Sequence, residues 1–208
     1  MRRPVGTLAI VLLTVAVSIL VYYGLDPLEW SQRAGFIPAR ASGVGTDFAA
    51  VPVWLTPLTC TLMHGGMLHL VSNMLILAFV GRMTEPVVGA VGIVILYIAG
   101  AYAAAFAQWL PDPHSVTPMI GASGAASAIL GAYALIFGRA RARAIGPVPA
   151  TIVHVLWLAA AWVVLNLMLA FAMQASGYGV AAAAHIGGFL AGIALARPLA
   201  RRHLRRLA

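Results

Sequence analysis

A chain of 208 residues, 62% hydrophobic and 9% charged, with mean hydropathy +0.95, has too little polar surface to coat a water-soluble globule. The net charge of +8 is carried by 13 arginines and no lysine, set in short runs at the ends of apolar segments. That placement argues against a nucleic-acid surface and for anchoring in a bilayer, and the single cysteine, Cys60, excludes an internal disulfide framework.

A membrane-spanning helix needs about 20 mostly apolar residues. Residues 5–23 form the first such stretch, beginning just after Arg2, Arg3 and Pro4. No small-residue cleavage site follows it, so it is expected to stay as a span. A mixed segment, 24–61, comes next, long for a connection and therefore a candidate functional outer loop; Trp30, Phe36 and Trp54 are suited to anchor it at the interface. Further spans are expected at about 62–81, 87–110, 120–137, 150–173 and 179–196, followed by a basic tail, 197–208. The fold class is thus an all-α membrane bundle of six helices in one domain. With the N-terminus in the cytoplasm, that side collects eleven arginines (2, 3, 82, 139, 141, 143, 197, 201, 202, 205, 206), and the opposite side only Arg33 and Arg40. Both termini are therefore expected to be cytoplasmic. The tail reads as a topological anchor on anionic lipid. All-arginine usage with abundant Ala and Gly points to a bacterial source, and so to the inner (plasma) membrane.

Polar residues are costly inside a bilayer and therefore informative. Three clusters fall toward the outer half of the expected spans: His64-Gly65-Gly66 with His69, Ser72 and Asn73; Gly121-Ala122-Ser123-Gly124; and Ala184-His185 with Gly188 and Gly192. His69 and Asn73, four apart, share one helix face. His185 shares a face with Gly188 and Gly192, while Gly124, Ala128 and Gly131 form a small-residue stripe beside Ser123. Such stripes let helix backbones approach closely, which would bring Ser123 within hydrogen-bonding reach of His185.

A serine hydroxyl becomes a nucleophile when a base removes its proton, and histidine is suited to take and return it near neutrality. Asp26, Glu29, Asp47 and Asp112 lie in outer loops and Glu85 is cytoplasmic, so the expectation is a Ser123–His185 dyad rather than a triad. The Ser123 N–H, the Asn73 amide and the His69 ring are candidate oxyanion donors. Cys60, His114, His154 and His203 are expected in structural or solvated roles.

The combination of His64-Gly65-Gly66, His69 with Asn73, Gly121-x-Ser123-Gly124, and Ala184-His185 with Gly188 and Gly192 resembles the rhomboid intramembrane serine proteases. The resemblance covers spans two to six. It implies a six-helix fold with a water-filled cavity open to the outer face, Ser123 as nucleophile, His185 as base, and Asn73, His69 and the Ser123 N–H as oxyanion donors. It further implies that Gly121 shapes the turn before Ser123. Substrates would be single-span membrane proteins cut at or near the outer boundary, entering beside the fifth span. Two departures stand out. Ser127 occupies a position where many relatives carry an aromatic residue stacked on the catalytic histidine, and a Trp-Arg pair found in the first loop of many relatives is not evident. A rhomboid-like client-binding protein and a small transporter are the rival readings. The transporter would show an internal repeat with helices broken at matching places, and the sequence has neither.

Overall fold

The computed structural model describes residues 3–138, 143–174 and 181–206. Arg2, Arg139 and Arg141 of the charge count, and residues 179–180 of the last apolar stretch, lie outside the described residues. The regular elements described are helical: α1 (Val5–Gly24), α2 (Pro27–Ala34), α3 (Pro38–Ala41), α4 (Thr56–Thr59), α5 (Met67–Trp109), α6 (Ser123–Phe137), α7 (Ala150–Gln174) and α8 (Ala182–Arg205), with 3₁₀ turns flanking α4. By length and composition α1, α5 and α8 are able to cross a membrane.

Polarity in α1 runs inside out. Its buried residues are Gly6, Thr7, Thr14, Ser18 and Val21, whereas Leu8, Leu12, Leu13 and Leu20 are exposed. Water would reverse that arrangement; lipid favours it. No side chain within α1 caps its first turn, and Glu85 does so from α5. The Gly6 and Thr7 N–H groups each donate to the Glu85 carboxylate at 2.8 Å, and the Thr7 hydroxyl donates to it at 2.7 Å. A carboxylate at a helix N-terminus satisfies orphan donors and meets the positive end of the dipole.

At about 1.5 Å per residue, the 43 residues of α5 are far longer than one bilayer crossing. Gly89 divides the element: its φ of 77° and ψ of 164° lie outside the helical region, and Pro86 precedes the break. A side chain at Gly89 is excluded twice, by that backbone conformation and by the His203 ring, whose Nδ1 lies 2.6 Å from where a Cβ would stand. The two halves, 67–88 and 90–109, correspond to separate apolar stretches in the sequence.

α6 sits at the centre, with Gly124 through Ile129, Gly131 and Ala132 all buried. It packs against α5 and α8 through small residues. A Cβ on Gly188 would collide with the Gly124 carbonyl, and one on Gly192 with the Ala128 carbonyl. The small-residue stripes read from the sequence are thus the α6–α8 contact.

Several boundaries differ from the sequence reading, and segment 24–61, to which the sequence assigns no structure, is partly helical. Asp26 caps α2 by accepting from the Leu28 and Glu29 N–H groups, with Pro27 in the first turn, and 53–62 winds into short helical turns. The helix expected from residue 62 starts at Met67, after the non-helical Gly65-Gly66, so His64 precedes it. The helix expected from 120 starts at Ser123. The last helix does not stop at 196 but runs through Pro198 to Arg205, held by buried Leu199 and finished by Arg202 and Arg205, cations that suit a helix C-terminus.

Candidate active site

The turn that presents Ser123 is fixed from below and beside. Phe36 and Met119 exchange both backbone hydrogen bonds, at 3.0 and 2.8 Å, and Ala39 N–H donates to the Ser115 carbonyl. Gly121 N–H donates to the Cys60 carbonyl at 2.9 Å. The segment between α1 and α5 therefore clamps the segment between α5 and α6. Gly121 has φ of 110°, a conformation that strongly favours glycine. A Cβ there would fall 2.7 Å from Cε1 and 2.8 Å from Nε2 of His69, so the His69 ring rests on the bare Cα of Gly121.

At the first turn of α6, Ser123 Oγ lies 2.7 Å from His185 Nε2 on α8. Both residues are half-buried, and no acidic residue of the chain lies within α6 or α8. With Nε2 accepting the serine proton, this is the pairing that raises the nucleophilicity of a hydroxyl. A void of about 10 Å³, room for one water, adjoins Ser123 and is lined by Cys60, Gly121 and Ala184 among others.

Two histidines beside the pair have their tautomers set by their neighbours. Gly65 N–H donates to His69 Nδ1 at 3.4 Å, which leaves the proton on Nε2, the nitrogen resting against Gly121. The Ser18 hydroxyl donates to the Leu62 carbonyl at 2.8 Å and lies 2.9 Å from His64 Nδ1. His64 Nδ1 must then be the donor of that second bond, and its Nε2 accepts from Ala122 N–H at 3.4 Å. The two imidazoles meet edge to face at 5.0 Å.

Of the residues singled out in the sequence, Ser123 and His185 are brought into direct contact, and His69 and Gly121 are brought beside them. Gly124, Gly188 and Gly192 form the close helix contact. Asn73 is buried one turn after His69 and donates its amide to the His69 carbonyl at 2.8 Å, so one of its two N–H groups is engaged within its own helix. Ser127 likewise turns inward, its hydroxyl donating to the Ser123 carbonyl at 2.7 Å. The sequence reading named His64 in a motif without giving it a role, and it missed Trp162. His64 ties α1 to the Ser123 turn, and Trp162 on α7 donates its indole N–H to the His185 carbonyl at 3.1 Å while stacking on Phe189, 5.2 Å between centroids. The first had a signal, since His64 opens a Gly-Gly motif; the second, an aromatic among apolar residues, had none.

The chain is similar to known proteins over most of its length. RHOMBOID-like protein 5 of Arabidopsis thaliana is 32% identical over 138 residues, 66% of this chain and 41% of that protein. Rhomboid-related protein 2 of Mus musculus is 26% identical over 197 residues, 90% of this chain and 62% of that protein. Rhomboid protease GluP of Bacillus subtilis (strain 168) is 27% identical over 197 residues, 94% of this chain and 36% of that protein. The chain thus spans less than two thirds of the length of each of these relatives. The family model described as the Rhomboid domain matches residues 52–202, a range that holds the His64–Asn73 segment, the Ser123 turn and the His185 helix together. By that match this multi-pass membrane chain belongs to the Rhomboid family.

Proposed function

We propose that the chain is an intramembrane serine endopeptidase. The observation that carries the reading is the 2.7 Å contact between Ser123 Oγ and His185 Nε2 inside an apolar helical bundle. Ser123 attacks the scissile carbonyl while His185 takes the hydroxyl proton, then returns it to the leaving amine. Water, activated by the same imidazole, releases the acyl group from Ser123. The Ser123 N–H, at an uncapped helix start, and His69 Nε2–H are the nearest oxyanion donors. Asn73 joins them with its second amide hydrogen.

The bundle crosses the membrane six times, α5 counting twice about Gly89, with both termini cytoplasmic as the arginine distribution favours. The 15 residues of α6 extend only about 22 Å against a hydrocarbon core of about 30 Å. Ser123 at its first turn is thereby recessed below the outer boundary, in a cavity that water enters from that side. Substrates are single-span membrane proteins whose helix unwinds near that boundary and enters beside α7. Neither metal nor cofactor takes part, and the setting is a bacterial inner membrane.

The test is cleavage of a single-span substrate by purified protein in detergent or lipid, followed by gel. Wild type yields product, Ser123→Ala and His185→Ala yield none, and Asn73→Ala yields less. Product from Ser123→Ala refutes the mechanism; a wild type inactive on several substrates favours client binding without cleavage.

A further inference from the structure

At the end of the bundle opposite Ser123, a hollow of about 240 Å³ opens between the break in α5 and the last turns of α8. Gly89 and Gly92 are among the residues that line it. Arg202, His203 and Arg206 form its rim, and Val91, Ile95 and Leu199 part of its wall. Arg202, in the last turn of α8, and Arg206, the residue that follows the helix, are four apart, where like charges repel unless an anion lies between them.

No acidic side chain among the described residues is placed to serve. The sequence has five acidic residues, and none follows Asp112. Asp26, Glu29, Asp47 and Asp112 belong to the segments beside the Ser123 turn. Glu85 is buried under three donors from α1. The ion pair found among the described residues is Arg33–Glu29, away from this hollow. Among the described residues, no carboxylate faces Arg202 or Arg206, which leaves the hollow open to an anion from outside.

We propose that this hollow is a binding site for one anionic phospholipid, its phosphate held by Arg202 and Arg206 with His203 beside it. The apolar wall favours a lipid over a free phosphate ion. Val91, Val94 and Ile98 are 59%, 40% and 41% exposed and lie at spacings of three and four along the second half of α5. They form a continuous apolar ridge leading from the hollow into the hydrocarbon, a track for an acyl chain beneath its headgroup. A basic tail adsorbed loosely on the membrane surface would need neither the hollow nor the ridge.

The experiment uses the full chain, delipidated in neutral detergent, with lipid retention read by native mass spectrometry. The probes are phosphatidylglycerol, phosphatidylcholine and inorganic phosphate. Two double variants remove the same charge: Arg202→Gln with Arg206→Gln on the rim, and Arg201→Gln with Arg205→Gln, exposed and off it. Wild type should hold one phosphatidylglycerol in preference to phosphatidylcholine, and millimolar phosphate should not displace it. The rim variant should bind it roughly 30-fold more weakly, and the off-rim variant as wild type does. Melting of both variants in lipid-free detergent checks that each is folded. Equal weakening in the two variants, or no preference for the anionic lipid, overturns the site. Displacement by inorganic phosphate overturns its assignment to a lipid. Cleavage activity plays no part in these readouts, so they stand or fall apart from the proposed proteolysis.

Discussion

Replacing Gly121 by alanine adds one methyl group at the point where backbone and imidazole are closest. Two costs can be read from the structure. Alanine at φ of 110° strains the backbone by about 1–3 kcal/mol. The new Cβ would also stand 2.7 Å from Cε1 and 2.8 Å from Nε2 of His69, well inside contact distance, so the ring has to leave its place. If that ring supplies an oxyanion donor, kcat should fall by about 10²–10³. KM should change little, because the helix surfaces that would hold a substrate are untouched. Steady-state cleavage of a single-span substrate in detergent measures both constants, with thermal unfolding as a check on folding. His69→Ala provides the decisive comparison. If Gly121→Ala acts by displacing His69, the double variant should be scarcely slower than His69→Ala alone, because one interaction cannot be lost twice. Fully multiplied losses in the double variant, or a Gly121→Ala enzyme within about threefold of wild type, in place of the full donor effect, would refute the reasoning.

Three further outcomes are expected. Glu85→Gln keeps the side-chain shape but turns an N–H₂ group toward donors from α1; the midpoint of unfolding should fall by an amount equivalent to about 1.5–3 kcal/mol, and an unchanged midpoint would show that the α1 cap contributes nothing. Trp162→Phe keeps an aromatic face on Phe189 but removes the bond to the His185 carbonyl, worth about 0.5–1.5 kcal/mol. Its kcat should drop by about 2- to 10-fold with KM near wild type, whereas a change in KM alone would place Trp162 in substrate entry and not in the positioning of His185. Burial pushes the Cys60 thiol up to about 12, so maleimide at pH 8 should label the folded protein negligibly and the denatured protein fully; ready labelling of the folded state would contradict the packing around the Gly121 turn.

Hydropathy made the long helices legible, because lipid demands an apolar run of fixed length whatever the tertiary contacts. The stretch at 5–23 lies on Val5–Gly24, whereas the break of α5 falls at Gly89, two residues inside the stretch expected at 87–110 and not in the gap before it. The meeting of Ser123 with His185 was legible for a different reason: glycines at 188 and 192 make sense only if another backbone approaches there. Segment 24–61 was not legible, since its order comes from pairing with residues 110–122 and from hydrogen bonds such as Thr59 to the Ala34 carbonyl, neither of which leaves a periodic trace. The same holds for His64, whose partner Ser18 is 46 residues away. Asn73 was read as a donor into the site, yet its amide first satisfies the His69 carbonyl, a local bond that a polar side chain in an apolar helix readily makes.

The distribution of polar groups explains why a short, glycine- and alanine-rich helix occupies the centre. A nucleophile in a bilayer needs water, and water needs polar neighbours that are themselves satisfied. Ser18, His64 and the Ala122 N–H form one chain of such bonds, and Gly65 N–H with His69 another; both converge on the turn before Ser123. Bulky residues on α6 would push α8 away, separating Ser123 from His185, and a longer helix would carry the serine out to the boundary. Packing without side chains, at Gly124 against α5 and at Gly188 and Gly192 against α6, therefore does two things at once. It brings Ser123 and His185 to hydrogen-bonding distance, and it leaves room for the His64 and His69 network beside the turn before Ser123.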